Sequence, residues 1–149
     1  MDNTLKVEHL KKTYGKRNVV KDISFEMQGG QIIGLLGPNG AGKTTTFYMI
    51  VGFITNNGGS ISLNGIDITN EPMYKRARLG ISYLPQEPSI FRKLSVEDNI
   101  RLVVESRPNT DPKKRDAIVQ GLLRSFGLTY LAKQKGYTLS GGERRRTEI

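Results

Sequence analysis

The chain has 149 residues, 36% of them hydrophobic, with a formal charge of +9. That length can bury one sizeable core, and the longest apolar run is far too short to cross a bilayer. With no cysteine present, disulfide, zinc-thiolate and thiol-nucleophile chemistry are excluded.

Met1-Asp-Asn-Thr has neither the basic nor the apolar region of a secretory signal, so cytoplasmic residence is the expectation. The charge alone would suggest nucleic acid or an anionic membrane. Its basic residues, however, fall in separate clusters: Lys11-Lys12 with Lys16-Arg17, Lys75-Arg76-Arg78, Lys113-Lys114-Arg115 and Arg144-Arg145-Arg146. Without interleaved aromatics they read as solvated faces, and no nucleic-acid partner is expected.

Leu5 to Lys12 alternates loosely and Val19 to Met27 alternates well, so both read as strands of a small antiparallel sheet. Between them Tyr14 either packs on a loop neighbour or offers its face to a purine ring. Gly29-Gly30 then turns the chain into Gln31 to Leu36, whose Ile32, Ile33, Leu35 and Leu36 read as a buried core strand. Gly37 to Thr44 follows and fits G-x-x-x-x-G-K-[ST], which chance would produce in roughly one of two hundred chains of this length. Gly40 and Gly42 let the backbone approach an anion, so that N–H groups and the next helix N-terminus point at phosphate oxygens. Lys43 brings a full charge to the β and γ phosphates, and Thr44 offers a hydroxyl to Mg²⁺. Lys43 to Val51 continues without a breaker and reads as that helix.

Ser60 to Ile68 reads as a hairpin turning at Asn64-Gly65, the pair preferred in a type I′ turn. Pro72 opens a short helix that Gly80 ends, and Ile81 to Leu84 reads as a second core strand before Pro85-Gln86-Glu87-Pro88. The pattern then becomes helical. Ser95-Val-Glu-Asp98 is a capping box, with Val96, Ile100, Val103 and Val104 as one apolar stripe. Asp111-Pro112 starts a further helix whose Ile118, Val119, Leu122, Leu123 and Phe126 form a buried face ending at Gly127. Ser140 is a good N-cap, and Gly141 and Gly142 expose N–H groups at a last helix start. That helix has no terminating residue before Ile149, so the sequence is expected to be cut after this motif.

Gly37-Pro-Asn-Gly-Ala-Gly-Lys-Thr-Thr45, the glutamine of Tyr83-Leu-Pro-Gln-Glu87 and Leu139-Ser-Gly-Gly-Glu143, in that order and spacing, resemble an ATP-binding cassette (ABC) ATPase. More narrowly, Gly37 to Gly52, Tyr83 to Val96 and Leu139 to Glu148 resemble the ATPase subunits of lipopolysaccharide-export transporters; those of branched-chain amino-acid importers are similar. The resemblance implies an α/β phosphate-loop fold of ABC type: an antiparallel β-subdomain (1–30 and 58–70), a RecA-like core (31–57 and 71–86) and a helical subdomain with the signature (87–149).

It further implies that Tyr14 stacks on adenine and that Gly37, Asn39, Gly40, Ala41, Gly42, Lys43, Thr44 and Thr45 hold the phosphates of ATP. Gln86 would sense the Mg²⁺ and γ-phosphate region, acting with Thr44 at the metal and with Lys43 in catalysis. Ser140, Gly141 and Gly142 would clasp nucleotide bound to a second copy, making a homodimer. Pro88 to Leu94 would receive a helix of the membrane permease, placing the protein on the cytoplasmic face of the inner membrane. The family's Mg²⁺-binding aspartate and water-polarising glutamate follow the signature. The 149 residues alone are therefore expected to be a nucleotide-binding module without catalysis. A soluble cassette acting in DNA repair or translation is favoured only by the charge.

Overall fold

The computed structural model describes residues 3–107 and 110–149. The chain divides into two compact units, Met1–Tyr83 and Leu84–Ile149. The first is a four-stranded antiparallel sheet of order β2-β1-β3-β4 with two helices; its strands are β1 (Thr4–Tyr14), β2 (Arg17–Gln28), β3 (Gly58–Leu63) and β4 (Ile66–Asp67). β1 and β2 are the expected alternating pair, and they close through Gly15 and Lys16 with Tyr14 opposite Arg17. Asn64 and Gly65 have φ of 54° and 77°, the positive pair that a type I′ turn between β3 and β4 requires. Val7, Leu10, Val20 and Ile61 from the sheet pack with Met49 and Ile50 of α1 (Lys43–Val51).

β1 carries an irregularity where it passes β3, between Glu8 and Lys11. There His9 has φ of 51°, and its ring meets the Asp22 carboxylate at the surface. Gly59 lies against this bulge with φ of +84°, and a Cβ on it would run into the carbonyls of Glu8 and His9. Gly59→Ala is expected to cost about 3 kcal/mol or more, since the wrong φ and a clash with backbone add together. Thermal or urea unfolding of the variant measures this, and an unchanged midpoint would contradict it.

Gln31 to Leu36 is not a strand, and neither is Ile81 to Leu84. Among the described residues no strand pairs with either, so the expected core sheet is absent there, and Ile32 and Leu36 stand 97% and 96% exposed. An apolar run becomes a strand only when a neighbour completes its ladder of N–H and C=O groups. Near Ile81 other contacts hold the chain: its N–H donates to the Arg76 carbonyl, and the rings of Tyr48, Phe53 and Tyr83 meet edge to face with centroids 5.4 to 6.0 Å apart.

Arg76, on α2 (Met73–Arg78), is buried at 3% exposure. Its guanidinium donates to the carbonyls of Met49 and Ile50 at the end of α1 and to those of Thr69 and Glu71. The Met49 and Ile50 carbonyls would otherwise lack donors at a helix end.

The second unit is helical, built on α3 (Val96–Ser106), α4 (Arg115–Ser125) and α5 (Gly141–Glu148). The Ser95 and Asp98 capping box forms, and a short 3-10 turn at Pro112–Lys114 precedes α4. Val96, Ile100 and Val104 pack with Val119, Leu123, Leu128, Leu131 and Leu139. Two residues expected inside are outside: Val103 is 58% exposed and Ile118 39%. Both lie on the flank of their stripe and line a cavity with Leu122 and Phe126 instead of closing on the core. Among the described residues no helix is long and apolar enough to cross a membrane.

Candidate functional site

The phosphate loop lies in the first unit, where its glycines make the turn possible. Gly40 and Gly42 have φ of 82° and 84°, and a Cβ on Gly42 would stand 2.6 Å from the Val19 carbonyl oxygen. Only glycine fits so close to β2 at that φ. Gly42 is also the N-cap of α1, which has no side-chain cap and no acid in its first turn. The buried Thr46 hydroxyl turns back onto the Gly42 carbonyl at 2.9 Å, fixing the loop against the helix. The positive end of α1 is thus left for an anion, with Thr44 exposed beside it. Lys43 Nζ donates to the carbonyls of Gly37 at 2.5 Å and Pro38 at 2.9 Å, so the ammonium folds over the start of the loop. Asn39, Gly40 and Ala41 form the exposed crest of the loop.

Tyr14 is half exposed, at 50%, with the buried Lys12 ammonium 5.2 Å from its ring centroid. Lys12 also donates to the Thr55 carbonyl. A cation on one face steadies the ring and leaves a platform of the kind a purine stacks on. Opposite Tyr14 on β2 stands Arg17, whose Nη2 would be 3.7 Å from a Cβ on Gly40. The hairpin turn therefore borders the loop. Neither Lys12 nor Arg17 is singled out by composition, since both sit in a cluster that reads as a solvated face. The signal in the sequence is the two-residue turn that sets Arg17 across from Tyr14.

The remaining site residues belong to the second unit. Ser140 caps α5: its hydroxyl donates to Glu143 Oε2 at 2.7 Å, and its backbone N–H donates to the same oxygen at 2.8 Å. The Ser140 hydroxyl, then its N–H, holds the Glu143 carboxyl below its usual value, so the cap is ionised. Gly141 and Gly142 are exposed, and a Cβ on either would meet nothing within 4 Å. Glycine is thus not required there by packing within the unit. Gln86 is exposed, and its loop is tied to α5 by two side chains. Arg145 donates to the Pro85 carbonyl at 2.5 Å, and Glu148 accepts from the Ser89 N–H at 2.7 Å.

Beyond Gln86 the segment Pro88 to Leu94 is fixed through its backbone. Buried Asn99 accepts from the Phe91 N–H at 2.8 Å and donates to the Phe91 carbonyl at 3.1 Å. Tyr137 N–H donates to the Arg92 carbonyl and Gly136 N–H to that of Leu94. The Phe91 ring itself is 63% exposed.

A glycine loop closing on an uncapped helix, with a lysine at its first position, defines a phosphate-loop protein. The sequence profile described as ABC transporter matches residues 20–149, and the chain belongs to that family. It is 56% identical over 141 residues to a probable ABC transporter ATP-binding protein of Azorhizobium caulinodans, covering 94% of this chain and 50% of that one. It is 50% identical over 149 residues to the lipopolysaccharide export system ATP-binding protein LptB of Acidithiobacillus ferridurans, covering 100% and 61%. The LptB of Escherichia coli K12 is 49% identical over 146 residues, with 98% and 61% covered. The chain therefore spans 50 to 61% of the length of these relatives. Among solved structures it is similar to an ATP-binding cassette of an ABC transporter in its ADP conformation, with a TM-score of 0.84 and 26% identity over 99% of this chain and 63% of that one. It is also similar to a Clostridium perfringens protein described as part of the ABC transporter complex cbiONQ, with a TM-score of 0.86 and 25% identity over 100% and 60%.

Proposed function

We propose that the chain is the nucleotide-binding part of the ATPase subunit of an ABC transporter that exports lipopolysaccharide. The observation that carries ATP binding is the loop: Gly40 and Gly42 at positive φ, an α1 N-terminus without an acid, and Lys43 above it. These donors fit a polyphosphate. Thr44, exposed beside the α1 N-terminus, would offer one oxygen ligand to Mg²⁺ carried in on the phosphates. Bound Mg²⁺-ATP would supply the transferable γ-phosphoryl group. Lys43 would hold the phosphates and Tyr14 the adenine. Ser140, Gly141 and Gly142 would face nucleotide on a second copy. The open space beside Gly141 and Gly142 supports that role.

Lipopolysaccharide as cargo rests on the LptB relatives at 49 and 50% identity. Hydrolysis is assigned to the whole protein.

Docking on permease subunits is assigned to Pro88 to Leu94. An aromatic that is exposed while its backbone is clamped by Asn99 is pre-organised to fill a partner's pocket, since little ordering remains to be done on binding. Phe91→Ala is expected to leave melting and ATP affinity unchanged and to weaken assembly with lipopolysaccharide-export permease subunits by about thirtyfold or more. Co-purification of variant and parent with those subunits measures it. Undiminished assembly of the variant would remove Phe91 from the interface, and failure of the parent to assemble would remove the export assignment.

A further inference from the structure

We propose that Arg17 is a second cation for the nucleotide polyphosphate, acting beside Lys43. The proposal rests on the ATP-binding reading of the phosphate loop and adds a residue that the loop motif does not contain. Two features place Arg17 there. Its Nη2 reaches the crest of the loop, 3.7 Å from where Gly40 would carry a Cβ. On β2 it is the direct partner of Tyr14, so one hairpin turn would present both the base platform and a guanidinium.

The charge of Arg17 is also uncommitted. Among the described residues no carboxylate pairs with it, whereas Arg101 is engaged by Glu97 and Asp116. An exposed guanidinium without a partner, held close to a loop of glycine N–H groups, raises the positive potential where a polyphosphate would lie. The two cations differ in position. Lys43 lies over Gly37 and Pro38 at the start of the loop, and Arg17 stands by Gly40 at its crest. A phosphate chain laid along the loop would therefore meet a point charge at one place and a planar fork of donors at another.

Calorimetry on the full chain tests this with Arg17→Gln, Arg17→Lys and Lys43→Ala, using ATP and ADP, and adenosine measured by competition against ATP. Arg17→Gln is expected to weaken ATP and ADP about three- to tenfold, less than a buried pair would because the site is open to water. Adenosine should be unaffected, Arg17→Lys should recover part of the loss, and melting should not change. Full ATP affinity in Arg17→Gln, with binding lost in Lys43→Ala, overturns the role of Arg17 and leaves the loop reading standing. Full affinity in both variants overturns both. An equal loss for adenosine and ATP would show that Arg17 acts on the Tyr14 platform, and that also overturns the proposal.

Discussion

Replacing Lys43 by alanine is expected to weaken ATP binding by about two orders of magnitude while leaving the melting temperature nearly unchanged. The reason lies in what the ammonium touches. Among the described residues it bonds two carbonyls of its own loop, at Gly37 and Pro38. With nucleotide present, those neutral acceptors would be exchanged for anionic oxygens, which adds an attraction between opposite charges that the carbonyls do not supply. A cation at the first position of α1 also opposes the helix dipole, so its removal costs the fold little. Titration of ATP into parent and variant by calorimetry gives the ratio directly. Equal affinities would remove the loop from nucleotide binding.

Arg76→Met is expected to show the opposite pattern, a large loss of stability before any effect on ligand. Methionine keeps an apolar stem but removes the donors that serve Met49, Ile50, Thr69 and Glu71. Leaving buried carbonyls without partners costs about 1 to 3 kcal/mol each where water cannot enter, so a total near 3 to 5 kcal/mol is expected after relaxation. For a unit of this size that lowers the melting temperature by more than about 10 °C. Burial pushes the guanidinium pKa down, the Glu71 and Asp67 carboxylates oppose that shift, and the group stays charged with its donors on four carbonyls. A variant melting within a degree or two of the parent would show that water or neighbouring N–H groups replace Arg76. Because Arg76 closes the end of α1 opposite the phosphate loop, ATP affinity should fall only as the folded fraction falls.

The structure redistributes the residues that the motifs single out. Tyr14 and Gly37 to Thr45 lie in the first unit, and Gln86 and Ser140 to Gly142 in the second. Each group has its own local support. Gly42 sits against the Val19 carbonyl because β2 passes there, and Gln86 follows Pro85, whose carbonyl is held by Arg145 of the signature helix. The link from Arg145 and Glu148 to the glutamine loop is a physical connection between two motifs that read separately along the chain.

What the sequence by itself determined was everything governed by near neighbours in the chain. The capping boxes at Ser95 and Ser140 close over three residues, and the Asn64-Gly65 turn and the left-handed glycines at 40, 42 and 52 are set by backbone sterics. The phosphate-loop motif belongs to this class, and so does its helix. Only the tertiary structure decided which apolar runs are buried. Ile32 and Leu36 have the composition of a core strand and stand in solvent, because a strand depends on the backbone groups of another segment for its ladder. The same holds for the cations. Lys12, Arg17 and Arg76 all fall in clusters that read as solvated surface, yet one supports the Tyr14 ring, one reaches Gly40, and one is sealed against carbonyls 27 residues away. A guanidinium or ammonium carries a long apolar stem, so its place is chosen by whichever distant acceptors the fold brings within reach.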